Sequence, residues 1–464
     1  MSRLLSFLQN KKIVLIGAGV ETLSIGKYLF KNNISVDLIE ADKARASELE
    51  QFTKNGFYGK ECFDNLANYD LVVRSPGFPL EKLKQICIDK KCYAEISSTT
   101  KLFVETSPAK IIGVTGTKGK GTTSSLIFEI LSLAKKDVYL AGNIGHGVFD
   151  FFDKLNENSI VVLELSSFQL EDFTVSPQIA VVLEISPDHL KPLSPISPNF
   201  HQNIDDYVKA KSQIIVHQKS EDWAIINIDH PYTDTIIKNI KGNSIQVSQK
   251  QELSEGIYIS GENIIARGKF KAEIDVAGRK LLGLHNLQNI ACACAVGLIE
   301  EIENSIIKSA VNNFSGLPHR MQNVAERNNL KFIDDSYATD PAATIAAIKS
   351  FHEPLAIILG GSSKGASFNL LANTIVQKGV KFVSLIGSEQ NKIAEALTDA
   401  GFDNWQTFNN NFDLAIKSAT EKLDGSGIVL LSPACASLDM FKNASDRGEQ
   451  FTKIVIRGVT NGSG

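Results

Sequence analysis

"GVTGTKGKGTTSSL", residues 113–126, is the stretch from which the fold can be read. An apolar run, Ile111 to Val114, enters a turn of Gly, Thr and Lys, and beyond the turn Leu126, Ile127, Ile130 and Leu131 recur at helical spacing. Strand, tight turn and helix in that order aim backbone N–H groups and a helix N-terminus at one point, the arrangement that holds phosphate. Lys120 offers a charge to the β- and γ-phosphates, and Thr122 or Thr123 a hydroxyl to Mg2+. Gly116, Thr117, Lys118, Gly119, Lys120, Gly121, Thr122 and Thr123 are therefore the candidate ATP loop. The usual pattern G-x-x-x-x-G-K-[ST] is broken twice, by Val114 at its first glycine and by Gly121 after the lysine. A glycine-rich turn with an exposed lysine is the plainer alternative; the flanking strand and helix favour the phosphate loop.

Upstream, KIVLIG (12–17), SVDLIE (35–40) and DLVVRSPG (70–77) are strand runs around a helical pattern in GAGVETLSIGKYL, a Rossmann-like opening. Downstream, SIVVLELSSFQ (159–169) and QIAVVLEISPDH (178–189) continue a central set. A third set runs from GLPHR (316–320) through LKFIDDSYATDP, LAIILGGSSKG, FVSLIGS and GIVLLSPACAS. This alternation predicts an α/β protein with mainly parallel sheets in three domains, residues 1–105, 106–316 and 317–464. In such sheets ligands gather beyond the carboxyl ends of the strands. Glu164, His189, Asp335, Lys364 and Ser432 fall at or just after such ends, which favours chemistry over surface decoration.

The 464 residues carry 48 Lys and Arg against 52 Asp and Glu, a net charge of -4, so no basic field argues for nucleic acid or an anionic membrane as partner. Cys62, Cys87, Cys92, Cys292, Cys294 and Cys435 show no CxxC pairing and read as reduced, mostly buried thiols. MSRLLSFLQNKK is too short before its lysine pair to be a signal peptide, and no apolar run reaches membrane-spanning length. A cytoplasmic protein acting on small molecules, without membrane insertion, is expected.

The broken loop resembles the G-T-x-G-K-[GTS]-[ST] loop of Mur ligases and folylpolyglutamate synthetases, which couple ATP to amide formation; Gly121–Thr122 is nearest the folate-enzyme form. SPG (75–77), GNIG (142–145), LELSSFQLE (163–171), DH (188–189), YVKAK (207–211), HNLQN (285–289), FSGLPHR (314–320), LGGSSKG (359–365) and LLSPACASLDMFKN (430–443) resemble, in order, segments of the Mur ligase family. SSFQLE and SPACASLDMF are similar to its D-glutamate-adding members. The resemblance implies a Rossmann-like N-terminal domain for a UDP-substrate, a central P-loop ATPase-like domain and a C-terminal Rossmann-like domain for an amino acid. It further implies that a monomer joins D-glutamate to UDP-N-acetylmuramoyl-L-alanine through an acyl phosphate, using ATP and two Mg2+ ions, in peptidoglycan precursor synthesis.

Residue roles follow from the same resemblance. Thr122, Glu164, His189 and Lys211 would serve the metal, Lys211 after capturing CO2 as a carbamate, which turns a cation into an anionic oxygen donor. Asn289, Arg320 and Asp335 would hold the nucleotide, and Asn143, Ser166 and Gln169 the muramyl and alanyl part of the acceptor. Val20, Glu21 and Ser75 would lie near the uracil and diphosphate with Asp42 or Lys43 at the rim; Thr339, Lys364, Ser437 and Leu438 would receive D-glutamate. Each has an ordinary alternative: an ion-paired Glu164, a hydrogen-bonded core His189, a solvated helix face in VKAKSQ, an interdomain turn in GLPHR, strand-end hydrogen bonds for the serines and threonines. Departures from the family pattern are Thr22 for a third fingerprint glycine, Glu21 for a small hydroxyl residue, Tyr337 for a lysine, Ala444 for an aromatic and Lys191 for an aspartate. PLSPISPNFHQN (192–203) is an insertion, expected to be a loop.

Three rivals stand beside this reading. A related Mur ligase or a folate-glutamylating ligase would keep the chemistry and change the amino acid or acceptor. A nicotinamide oxidoreductase would use GAGVET, against which Thr22 and the second nucleotide loop weigh. A non-catalytic nucleotide-binding module would leave Lys120, Glu164, His189 and Lys211 together without a purpose.

Overall fold

Uninterrupted runs of Ile, Val and Leu form strands buried on both faces, as in Ile13–Ile16, Ile160–Glu164 and Gly427–Leu431. The computed structural model describes residues 3–59, 61–143, 147–190, 199–281, 283–363 and 366–460. Among these, three sheets carry an α/β architecture with helices between the strands. The first sheet is parallel, in the order Gly56–Tyr58, Val36–Glu40, Ile13–Ile16, Leu71–Arg74, Glu95–Ser98. The second places the phosphate-loop strand Lys110–Thr115 between Ile160–Glu164 and Ile179–Val182, both parallel to it. In the third, Leu330–Asp334, Gly427–Leu431, Leu355–Gly360, Phe382–Ile386 and Trp405–Thr407 run parallel in that order.

Two antiparallel additions were not anticipated. Gly256–Ser260, Asn263–Arg267 and Ala272–Asp275 form a meander at one edge of the second sheet. At the edge of the third, Gln322–Arg327 pairs with Leu330–Asp334 across Asn328 and Asn329, both at positive φ (48° and 64°). A two-residue turn with both φ positive matches the twist of a hairpin, and asparagine tolerates it.

The chain divides into two compact units, Met1–Arg279 with Leu284–Phe314, and Lys280–Gly283 with Ser315–Gly464. The first two sheets thus share a unit, and one apolar core runs through both. Tyr28, Phe103, Phe149 and Phe152 pack there with ring centres 5.1–5.8 Å apart. Each such ring contributes about 1.5–3 kcal/mol by burial.

Glu164 closes its strand, and Asp335 and Ser432 each follow one directly. His189 stands farther on, beyond Ile179–Val182. Lys364, Lys191, residues 144 and 145 of GNIG and residues 192–198 of the insertion lie outside the described residues. All six cysteines are free and buried. Among the described residues, no helix is long and apolar enough to cross a membrane.

Candidate active site

The strand Lys110–Thr115 delivers the chain to Gly116, and the helix Lys120–Leu133 begins after Gly119, which sits at φ 82°. A Cβ on Gly119 would collide with the side-chain amide of Asn289, so the glycine permits both the left-handed turn and the approach of Asn289. The amide of Asn289 donates to Asn286 Oδ1 at 2.8 Å, which fixes its orientation. Thr117 fastens the loop to the neighbouring strand's extension: its N–H donates to the Glu184 carbonyl (2.8 Å), its hydroxyl to the Ser186 carbonyl (3.0 Å), and its Oγ1 lies 3.1 Å from the Tyr207 hydroxyl. Lys120 folds over the turn, its Nζ donating to the carbonyls of Gly116 (3.1 Å) and Thr117 (3.0 Å). Lys118 is exposed, Gly121 and Thr122 half-buried, and Thr123 fully buried with its hydroxyl lacking a protein partner.

Three expected metal and catalytic positions, Lys211, Glu164 and His189, gather about this loop. Lys211, on the helix Ile204–Val216, is 2% exposed and donates to the Gly116 carbonyl at 2.8 Å, with Thr115 Oγ1 at 3.4 Å. Burial, then the charge of Lys120, hold its pKa well below the usual amine range; Asp188 and Glu164 pull the other way. Glu164 is buried and accepts from the Asn143 amide at 3.1 Å. His189 takes positive φ (54°), its Nδ1 is buried without a hydrogen-bond partner, and burial lowers its pKa while Asp188 opposes the shift. Among the described residues, no three His, Cys, Asp or Glu side chains cluster as a metal group. The expected set draws only Glu164 and His189 from those residue types. A buried carboxylate and nearby threonine hydroxyls are oxygen donors that suit Mg2+, whereas the imidazole nitrogen is the softer member of the expected set.

In the first sheet, Gly17 at φ 86° lies where a Cβ would press on Ser75, whose N–H donates to the Ile16 carbonyl. Thr22, in place of a third glycine, is buried and its hydroxyl binds back to the carbonyls of Gly17 (2.6 Å) and Gly19 (2.9 Å). Glu40, at the end of Val36–Glu40, accepts from the N–H of Ala18 (2.9 Å) and of Asp42 (3.2 Å), so its oxygens are occupied where a dinucleotide fold would offer an acid to ribose. Val20 is 68% exposed, whereas Glu21 is held by Thr100 (2.8 Å) and Gln169 (2.5 Å), with burial raising its pKa. Lys43 lies over the Tyr58 ring. Ser166 and Gln169 form a reciprocal cap on the short helix Ser167–Leu170.

The second unit holds the remaining predicted residues. Asp335 accepts from the Ser432 hydroxyl (2.8 Å) and the Met321 N–H (3.2 Å), and burial pushes its carboxyl up to about 7. The Arg320 guanidinium lies 5.2 Å from the centre of the Tyr337 ring, which also stacks on His319. The Thr339 N–H donates to the Tyr337 carbonyl, Ser437 is buried, and Leu438 beside it is 73% exposed.

Sequence reading missed Arg74, Asn199, His201 and Arg447. Arg74 is fully buried, donates to the Phe168 carbonyl (2.9 Å) and pairs with Glu171 (2.9 Å) and Asp172 (3.4 Å). Arg447, also fully buried, ties Ser336 to the carbonyl of Cys435. A cation inside an apolar helix pattern was the one available signal for Arg447; the others mark no local pattern.

The chain is similar to known proteins along nearly its whole length. The Mur ligase middle domain matches residues 114–297, and the Mur ligase, glutamate ligase domain matches residues 319–435. The chain is 33% identical to the UDP-N-acetylmuramoylalanine--D-glutamate ligase of Clostridium tetani and 34% identical to that of Acetivibrio thermocellus, with 97% of each chain covered in both cases. Among solved structures it resembles MurF from Acinetobacter baumannii (TM-score 0.63, 14% identity, 98% of each chain). It also resembles the UDP-N-acetylmuramate-alanine ligase MurC from Thermotoga maritima (TM-score 0.58, 17% identity, 97% of this chain and 100% of that one). At these identities the structural likeness is one of fold.

Proposed function

The chain belongs to the Mur ligase family, and we propose that it joins D-glutamate to UDP-N-acetylmuramoyl-L-alanine at the expense of ATP, releasing ADP and phosphate. The observation that most supports this reading is the convergence of Lys120 and Lys211 on the Gly116 carbonyl beside Glu164 and His189. A passive nucleotide module needs the first lysine and has no use for the second.

The family uses ATP and Mg2+. In this chain Thr122, Glu164, His189 and Lys211 as a carbamate would hold the metal, as two ions, which would neutralise charge on the transferring phosphoryl group. Lys211 suits the modification because a neutral amine attacks CO2 and loses a proton, leaving N-linked carboxylate in place of a buried cation. The phosphate loop and Lys120 would orient the γ-phosphoryl group toward the alanyl carboxylate. Transfer gives an acyl phosphate and ADP; the D-glutamate amine then attacks the acyl carbon, the C–O bond to phosphate breaks and the amine proton is lost. Asn289, Arg320 and Asp335 are the proposed nucleotide contacts. Asn143, Ser166, Gln169, Val20, Glu21 and Ser75 are proposed for the acceptor, and Thr339, Lys364, Ser437 and Leu438 for D-glutamate. The division of labour assigns residues 1–105 to the UDP part, 106–316 to ATP and 317–464 to the amino acid, in a monomer of the cytoplasm.

Incubating the full chain with ATP, Mg2+, UDP-N-acetylmuramoyl-L-alanine and D-glutamate, followed by mass spectrometry, tests this. The acceptor should gain one glutamyl residue with matching ADP and phosphate. ATP loss without a new amide would sink the reading.

A further inference from the structure

We propose that His201 is a positioning residue for the acceptor, the centre of a brace that sets the Ser166–Gln169 turn against the phosphate loop; the proposal rests on the ligase reading above. His201 lies within the 192–203 insertion, in irregular chain as a loop would place it, yet it is 6% exposed, and its Nε2 lies 2.9 Å from the hydroxyl of Ser167, itself buried. Its ring stacks on Phe168 with centres 4.8 Å apart and planes 6° from parallel, and meets the edge of Tyr207 at 5.3 Å. Its N–H donates to the His189 carbonyl at 2.8 Å.

The residues on either side extend these ties. Two positions earlier, Asn199 is buried and its amide donates to the carbonyl of Pro76, within SPG, at 2.8 Å. Six positions later, Tyr207 reaches Thr117 of the phosphate loop, and the same helix carries Lys211. One short segment therefore touches SPG, the Ser166–Gln169 turn, His189 and the phosphate loop. These are pieces that the ligation reaction would need in fixed register, because the acceptor carboxylate must meet the γ-phosphoryl group in line.

A brace with no purpose beyond folding would also pack this way, so the test has to separate geometry at the acceptor from general stability. Arg74 also holds the Phe168 carbonyl, at 2.9 Å. Removing the His201–Ser167 bond should therefore loosen one wall of the turn without dissolving it. Two contacts join His201 to this helix, the Ser167 hydroxyl at 2.9 Å and the Phe168 ring at 4.8 Å. The two contributions can be separated by substitution.

Steady-state kinetics on the full chain decide the matter, using His201→Phe (ring kept, bond lost), His201→Gln (a polar group kept for Ser167), Ser167→Ala and the Phe–Ala double variant. His201→Phe and Ser167→Ala should each lower kcat/KM for UDP-N-acetylmuramoyl-L-alanine about tenfold, a modest share of what misplacing a reacting group costs. KM for ATP should stay within about twofold, His201→Gln should keep more activity than His201→Phe, and the double variant should be no worse than the poorer single one, since both break one bond. Multiplying effects, equal shifts in the ATP and acceptor constants, or wild-type behaviour in both single variants would overturn the proposal. Should His201→Phe fail to fold, Ser167→Ala, the smaller change, decides by the same ratio of constants. Wild-type protein that ligates nothing would indict the ligase reading itself, a result distinct from active wild type with indifferent variants.

Discussion

Lys211 and Lys120 place their ammonium nitrogens 2.8 and 3.1 Å from the same carbonyl oxygen, that of Gly116. Burial first, and then the neighbouring charge of Lys120, lower the pKa of Lys211. Carboxylation would resolve this conflict, because the second cation becomes an anion facing the first.

Lys211→Ala should therefore lower turnover by about 100-fold or more, in the range seen when an electrostatic group aimed at a transition state is removed. Formate or acetate in solution should restore part of it, since the lost group works through its oxygens. Rescue by a small amine and not by a carboxylate would mean that Lys211 acts as a cation. Stripping CO2 from wild-type enzyme should reproduce the loss, and bicarbonate should reverse it.

Lys120→Ala should cut turnover severely with little change in thermal midpoint. The Lys120 ammonium donates to the Gly116 and Thr117 carbonyls, while the left-handed Gly119 and the bonds of Thr117 shape the turn through other atoms. A fall in kcat of about 100- to 1000-fold is expected. Wild-type turnover in this variant would remove the phosphate loop from the mechanism.

Asp335 carries a pH signature. Its carboxyl rises from 3.8 to about 7 on folding, through burial, so between those values the folded protein keeps a proton that the unfolded chain has lost. Stability contributed here is present below about pH 4 and falls as pH rises toward 7. Asp335→Asn should thus raise the nucleotide-free thermal midpoint relative to wild type by about 2 °C or more at pH 7, and by less at pH 4, since 1 kcal/mol moves the midpoint by about 2–4 °C in a domain of this size. A difference independent of pH would contradict the assignment.

Tyr337, where the family pattern has lysine, lies under Arg320 and against His319. Tyr337→Lys should lower KM for D-glutamate, if the new ammonium reaches its carboxylate, and raise KM for ATP about two- to fivefold. The second effect reflects loss of a cation–π contact of about 0.5–1 kcal/mol. An unchanged ATP constant would show that the ring does not position Arg320.

The α/β fold and the phosphate loop were legible because their signals are local: a strand run, a turn and a helical period within residues 111–131. The turn between Gln322–Arg327 and Leu330–Asp334 was also locally coded, in Asn328 and Asn329, and passed unread. Asn199 and Arg74 were not legible at all, because they join positions 123 and 94 residues away. Nothing near Arg74 in the chain announces Phe168. Thr22 was read as a defect in a fingerprint, yet its hydroxyl satisfies two loop carbonyls, a compensation visible only once the turn is closed.

Phosphate release from ATP, measured with each acceptor and each of a panel of D- and L-amino acids added singly and together, tests the central claim most directly. The account predicts release only when UDP-N-acetylmuramoyl-L-alanine and D-glutamate are both present, with D-glutamate ahead of every other amino acid at equal concentration. Faster release with a neutral or cationic amino acid, or with a folate acceptor and glutamate, would contradict it.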